Sequence, residues 1–78
     1  MHATKQQEVT AVQHGYTSEV YDDKSDALAI AHEVAKLAGY CFAVQGRFGW
    51  HASQRKPNLN VQGMKVIECR DDGKEYLA

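Results

Sequence analysis

Cationic and aromatic side chains are mixed in segment 46–56, where the sequence holds residues able to bind another molecule. Its sequence is Gly-Arg-Phe-Gly-Trp-His-Ala-Ser-Gln-Arg-Lys. Cationic side chains neutralise phosphates, and aromatic rings stack on nucleic-acid bases or anchor protein interfaces. We therefore predict a contact surface formed by Arg47, Phe48, His51, Arg55 and Lys56.

The charged residues are distributed unevenly along a chain of 78 residues with a formal net charge of −1. Residues 34–67 contain no Asp or Glu, yet they carry the cations Lys36, Arg47, Arg55, Lys56 and Lys65. This stretch indicates contact with a protein partner or with nucleic acid. The alternative is that its cations belong to an ordinary solvated loop and that Trp50 lies in the core. The sequence pI of about 6.4 is below the values above roughly 9 that are typical of domains binding nucleic acid alone.

An acidic patch at residues 19–26 has two interpretations. Its members are Glu19, Asp22, Asp23 and Asp26. Carboxylates are favoured wherever a helix begins, because they interact with the positive end of the helix dipole. Docking onto a basic partner is the other interpretation.

The sequence lacks the motifs of common enzymes and metal sites. It contains no GxSxG, GxGxxG, P-loop or HExxH pattern, and Cys41 and Cys69 do not have zinc-site spacing. Cys41 and His51 could be drawn as a nucleophile and its base, placed on one side of a hairpin but at opposite ends. Buried, reduced, structural thiols are the favoured interpretation, and a disulfide between the two cysteines is the alternative. We predict a protein that is not an enzyme and has no cofactor and no metal.

Seven elements would position these residues. Residues 8–13 and 16–21 alternate like strands around a His14-Gly15 turn, and residues 1–7 are expected to be flexible. A helix is predicted over 26–38, with Ser25 as its N-cap and Gly39 ending it. Ile30 and Val34 lie on its apolar side, which also includes Leu37, and Leu28 lies at the edge of that side.

The remaining chain predicts two more hairpins. A three-residue loop, Arg47-Phe48-Gly49, would leave Phe48 at an exposed tip and keep four residues on one face: Phe42, Val44, Trp50 and Ala52. A two-residue turn at Gly46-Arg47 would instead put Trp50 on the face opposite Phe42 and Val44. A strand over 61–69 follows. A two-residue turn at Asp72-Gly73 would then face Arg70 with Glu75 and Asp71 with Lys74.

These elements predict a single α+β domain over residues 1–78, with one α-helix packed on a mostly antiparallel β-sheet in two layers and the order ββ-α-ββ-ββ. Neither a secretory leader nor an apolar run of membrane-spanning length is found in the sequence. We therefore expect a cytoplasmic protein.

The order of elements and the size resemble the small phage-encoded anti-CRISPR proteins that inhibit type I complexes. The resemblance covers Ser25-Asp-Ala-Leu-Ala-Ile-Ala-His-Glu-Val-Ala-Lys-Leu-Ala-Gly39 and the following strands through Asp72-Gly73. It implies a stoichiometric inhibitor, acting in the host cytoplasm, that docks on a crRNA-bound surveillance complex and blocks DNA. It carries over no docking residue.

We therefore expect a non-enzymatic binding protein, a phage-type inhibitor of a host protein or nucleoprotein complex, that is a monomer or homodimer. The alternative is a small nucleic-acid-binding module that uses the basic aromatic hairpin 46–56 directly.

Overall fold

Two helices precede four antiparallel strands in this computed structural model, which describes residues 4–56 and 65–77. The helices are α1 (Lys5–Gln13) and α2 (Lys24–Ala38); the strands are β1 (Tyr40–Gly46), β2 (Gly49–Ser53), β3 (Lys65–Arg70) and β4 (Glu75–Leu77). The predicted α+β class is confirmed. The predicted order ββ-α-ββ-ββ and the single helix are wrong, because α1 occupies the place of the first hairpin.

The N-terminal segment is helical because it has a complete cap. The Thr4 hydroxyl accepts a hydrogen bond from the Gln7 backbone N–H (3.2 Å), and the Gln7 amide oxygen accepts one from the Thr4 N–H (2.9 Å). Val9 and Val12, three residues apart, are both buried, which is a helical spacing. Residues 4–7 are therefore structured, contrary to expectation, and residues 1–3 lie outside the described residues.

Helix α2 follows the prediction closely. It begins at Lys24 with Asp23 as the N-cap, so Ser25 lies inside the helix and not at its cap. It ends at Gly39, whose φ of 94° is left-handed, as predicted. Ile30 is buried and Leu28 half-buried, but Leu37, expected on the apolar side, is 65% exposed.

One face of the sheet carries the main core. The strand order is β2-β1-β3-β4; α2 packs on β1, β2 and β3, and α1 packs beside α2. Alanines on α2 let the helix approach the sheet closely, because they leave little volume between the two layers. The main core consists of Val9, Val12, Ala27, Ile30, Ala31, Val34, Ala35, Cys41, Ala43, Trp50, Ala52, Ile67 and Cys69.

The predicted three-residue loop between β1 and β2 is wrong. Gly46 pairs with Gly49, so the turn has two residues, Arg47 and Phe48, and Gln45 faces Trp50. This register puts Trp50 on the helix side of the sheet. Phe42 and Val44 point to the opposite face, where they form a second buried cluster with Val66. The prediction failed because it assumed that all large apolar residues share one face.

The turn between β3 and β4 also differs by one residue. Cys69 pairs with Glu75, so Arg70 does not face Glu75, and the loop is the three residues Asp71-Asp72-Gly73. Gly73 has a φ of 81° and its N–H donates to the Arg70 carbonyl (3.0 Å). A glycine in left-handed conformation is typical of three-residue hairpin loops. The predicted strand 61–69 is confirmed from residue 65, and residues 61–64 lie outside the described residues.

Residues 18–21, which we call the strap, cover the outer edge of β2. This segment was predicted as part of a strand, but it makes only one bridge, from Tyr21 to Trp50. The Ser18 N–H donates to the Ala52 carbonyl (2.9 Å), and the Ser18 hydroxyl accepts from the Ala52 N–H (2.8 Å). The strap thus satisfies backbone groups at a sheet edge that could otherwise pair with another chain.

Truncating Ile30 tests the packing of α2 on the sheet. Ile30→Ala should lower the free energy of unfolding by about 2–4 kcal/mol, because it removes a buried side chain and leaves a cavity. The control is Leu37→Ala on the same helix, where an exposed side chain is removed and a change within about 0.5 kcal/mol is expected. Urea denaturation measures both. Equal values for the two variants would contradict the orientation of α2.

Adding a methyl group to Gly49 tests the position of the strap. Gly49 has a φ of 141°, and a Cβ there would clash with the Tyr21 carbonyl and lie 2.9 Å from Val20 Cγ1. Gly49→Ala should therefore cost about 1–3 kcal/mol of stability. Gly46→Ala is the matched control, since its Cβ would meet only the Gly49 carbonyl oxygen at 4.0 Å. If Gly49→Ala unfolds at the same urea concentration as Gly46→Ala, the strap does not lie against β2.

Candidate binding surface

The β1–β2 turn presents Phe48 to solvent. The flanking glycines pair with each other, so Arg47 and Phe48 alone complete the turn. The Phe48 side chain is 81% exposed, and the Arg47 guanidinium carbon lies 5.9 Å from the centre of its ring. The exposed aromatic tip is therefore present as predicted, although the turn is one residue shorter. A large exposed ring beside an arginine is typical of protein interfaces.

The strap adds a second apolar side chain next to this tip. The Tyr21 N–H donates to the Trp50 carbonyl (2.7 Å), and the Trp50 N–H donates to the Tyr21 carbonyl (2.8 Å). These bonds hold the strap against Gly49, beside which lies Val20, 53% exposed. Sequence analysis missed Val20, because it treated residues 16–21 as one strand of a separate hairpin.

A buried carboxylate holds the strap in place. Glu8 on α1 is only 4% exposed, and its Oε1 accepts hydrogen bonds from the Glu19 backbone N–H (3.0 Å) and the Tyr21 hydroxyl (3.4 Å). Burial, together with the nearby Glu8 and Glu19 carboxylates, raises the pKa of Tyr21 to about 12. Helix α1 thus positions the segment that carries Val20.

The chain that leads from the strap to α2 carries two carboxylates of the predicted acidic patch. Asp22 and Asp23 are exposed and directly follow Tyr21. Because the bridge to Trp50 is antiparallel, the chain after Tyr21 runs towards Gly49 and the turn. The Asp23 side chain makes no capping hydrogen bond with α2. We call Val20, Asp22, Asp23, Arg47 and Phe48 the tip surface.

The structure separates the predicted contact residues into two groups. Arg55 and Lys56 follow the far end of β2 and are exposed. Strand β2 has five residues, from Gly49 to Ser53, so about 13 Å of extended chain divides these cations from the turn. The predicted surface over 46–56 is therefore not continuous.

His51 belongs to neither end of β2. It pairs with Val44 and is half-buried on the face opposite α2, and burial lowers its pKa below 6.5. Cys41 lies on the other face, under α2. The expectation that Cys41 and His51 share a side of the sheet is wrong, and they do not form a nucleophile–base pair.

The two thiols are buried and protonated. Cys41 and Cys69 have no solvent exposure, and burial raises the pKa of Cys41 to about 12 and that of Cys69 to about 11. The Cys41 thiol donates to the Ser53 carbonyl (3.4 Å). Thiols without thiolate character are poor nucleophiles.

A groove of about 410 Å³ lies between α1 and α2. Val9 and Leu37 provide its apolar lining, and Glu33 on its wall is 3.9 Å from the Lys5 ammonium and 3.5 Å from that of Lys36. Its charges are already paired within the chain, so it contributes no converging set of free polar groups.

Within residues 4–56 and 65–77 no three His, Cys, Asp or Glu side chains are grouped so that they could hold a metal ion. Neither helix in this part of the chain has the length and apolar character needed to cross a membrane. No family model, curated protein or solved structure matches the chain.

Ionisation of Tyr21 should weaken the fold at high pH. Its pKa rises from 10.0 to about 12 on folding, so the stability it contributes is complete below pH 10 and is lost as the pH rises through 12. The free energy of unfolding of the wild type should therefore fall more steeply between pH 10 and 12 than that of Tyr21→Phe. Urea titrations at several pH values measure the difference. Parallel curves would show that Tyr21 is not held as described.

Proposed function

We propose that the protein is a non-enzymatic binding protein that contacts a partner protein through the tip surface. The observation that carries this proposal is the 81% exposure of Phe48 on a two-residue turn. Removing such a ring from water when a partner binds is favourable by roughly 1.5–3 kcal/mol. Aromatic and arginine side chains at the centre of an interface commonly supply most of its binding energy.

The backbone around the tip surface is held firmly, which favours binding. Gly46 and Gly49 are paired in the sheet, and two hydrogen bonds connect Tyr21 with Trp50. A partner therefore does not have to order this backbone, and little conformational entropy is lost when it binds. The side chains of the tip surface, among them Arg47 and Phe48, remain to be fixed.

The charges of the tip surface favour a protein over a nucleic acid. It carries the cation Arg47 and the exposed carboxylates of Asp22 and Asp23, and the exposed cation Lys24 directly follows them. A surface with balanced charges lacks the excess of cations that phosphates need, whereas it can pair with complementary charges around a protein pocket. Direct nucleic-acid binding by one continuous basic hairpin would need Arg55 and Lys56 beside the turn.

An inhibitor of a host nucleoprotein complex, as the resemblance to anti-CRISPR proteins implies, is compatible with such a surface and stays a prediction, although the order of elements on which that resemblance rested differs at the N-terminus, where α1 replaces the first hairpin. Complexes that bind nucleic acid neutralise its phosphates with basic surfaces or grooves. The tip surface would occupy one of these grooves with its aromatic ring and carboxylates.

Removing the Phe48 ring should weaken binding and leave the fold intact. Phe48→Ala should change the free energy of unfolding by no more than about 0.5 kcal/mol, because the ring is exposed. Capture of a partner from nuclease-treated bacterial lysate by the immobilised chain should weaken by roughly 5- to 150-fold, the loss that corresponds to about 1–3 kcal/mol at an interface hot spot. A purified type I surveillance complex serves as a defined probe beside the lysate.

Leu77→Ala is the matched control, because it removes another exposed apolar side chain, 88% exposed, from the opposite edge of the sheet. It should retain full capture. Equal capture by both variants and the wild type would contradict the proposal. Salt-sensitive binding of free oligonucleotides that needs Arg55 and Lys56 would favour the nucleic-acid module instead.

A further inference from the structure

Cys41 and Cys69 lie directly opposite each other on neighbouring strands. They are register partners in the antiparallel pair β1–β3, and both point towards α2. Directly opposed residues in antiparallel strands have Cα atoms about 4.5 or 5.5 Å apart. Both values fall in the range of about 4.4–6.8 Å that a disulfide spans. Both cysteines are free thiols in this structure.

We propose that Cys41 and Cys69 form a reversible cross-strand disulfide when the protein meets a small-molecule disulfide such as oxidised glutathione. The bond would join β1, the strand that leads to the turn, to β3 at the centre of the sheet. This inference does not depend on the proposed binding function, because neither cysteine belongs to the tip surface.

The reaction proceeds by two thiol–disulfide exchanges. Both thiols are protonated while buried, so local opening first returns one cysteine to water, where its thiolate can form. That thiolate attacks a sulfur of oxidised glutathione, which forms a mixed disulfide and releases one glutathione thiolate. The second cysteine thiolate then attacks the protein sulfur of the mixed disulfide and releases the second glutathione. The two thiol protons are taken up by the released glutathiones, and the two electrons reduce the glutathione disulfide.

Cys69 is the cysteine that reacts first. It pairs with Glu75 on β4, a three-residue edge strand whose residues are all exposed. Short exposed strands open locally at low free-energy cost. Cys41 lies on β1, between β2 and β3, and is reached only after wider opening of the sheet. It is therefore the cysteine that resolves the mixed disulfide.

The experiment is equilibration of the wild type in a buffer of oxidised and reduced glutathione, with low urea to allow opening, followed by acid quenching. Intact mass should show loss of two hydrogen atoms and no bound glutathione. Tryptic digestion without reduction should give one linked pair, residues 37–47 with residues 66–70, since cleavage follows Lys36, Arg47, Lys65 and Arg70. The cross-linked protein should unfold at a higher urea concentration than the reduced one.

Single-cysteine variants provide the controls. Cys41→Ser should accumulate glutathione on Cys69 faster than Cys69→Ser accumulates it on Cys41. The proposal is overturned if the wild type keeps two alkylatable thiols, if it ends with glutathione on one or both cysteines, or if the cross-linked form is less stable than the reduced form. These measurements on the wild type stand even if a serine variant does not fold.

Discussion

The length of the β1–β2 turn decides which side chains lie on each face of the sheet, and most of the structure depends on it. Because side chains alternate along a strand, one more residue in the turn would move Trp50 and Ala52 from the helix side to the opposite face. With two residues in the turn, both lie with Cys41 and Ala43 beneath α2, and Phe42 and Val44 form their own cluster with Val66. The same turn leaves the Phe48 side chain exposed to solvent, outside both apolar clusters.

The second requirement is an N-terminal segment that covers the edge of β2. The strap contributes backbone hydrogen bonds to Trp50 and Ala52, and the buried Glu8 carboxylate binds the strap from α1. A buried carboxylate is tolerated only when its oxygens are hydrogen-bonded, and here the donors are a backbone N–H and the Tyr21 hydroxyl. Helix α1 therefore influences the tip surface although it contributes no residue to it.

Features that depend on a few neighbouring residues were predicted correctly, whereas features that depend on the whole fold were not. Gly39 and the apolar spacing of Ile30 and Val34 identified α2, because caps and helical periodicity are encoded over a few residues. Residues 8–13 were mistaken for a strand because Val9, Ala11 and their neighbours also alternate; the Thr4–Gln7 capping box was the overlooked evidence for a helix. The length of the β1–β2 turn was mispredicted because an apolar cluster lies on each face, so both alternations are equally acceptable. The β3–β4 turn was assigned from opposite-charge pairs, and the observed register does not contain those pairs. The exposure of Phe48 was predictable, whereas its neighbour Val20 comes from a distant segment.

The distribution of charge near the two ends of β2 cannot be read from the local sequence. All charged residues of segment 46–56 are cations. The fold nevertheless directs the chain at Asp22 and Asp23 towards the turn end of β2 and leaves Arg55 and Lys56 beyond its other end. Strand β2 itself spans about 13 Å, which exceeds the Debye length of about 8 Å at physiological salt, so exposed charges at its two ends are largely screened from each other. A partner that meets the turn therefore encounters the Phe48 ring and the Arg47 guanidinium, whereas Arg55 and Lys56 lie beyond the other end of β2. The net charge of a stretch of sequence describes a surface only when the fold keeps that stretch together.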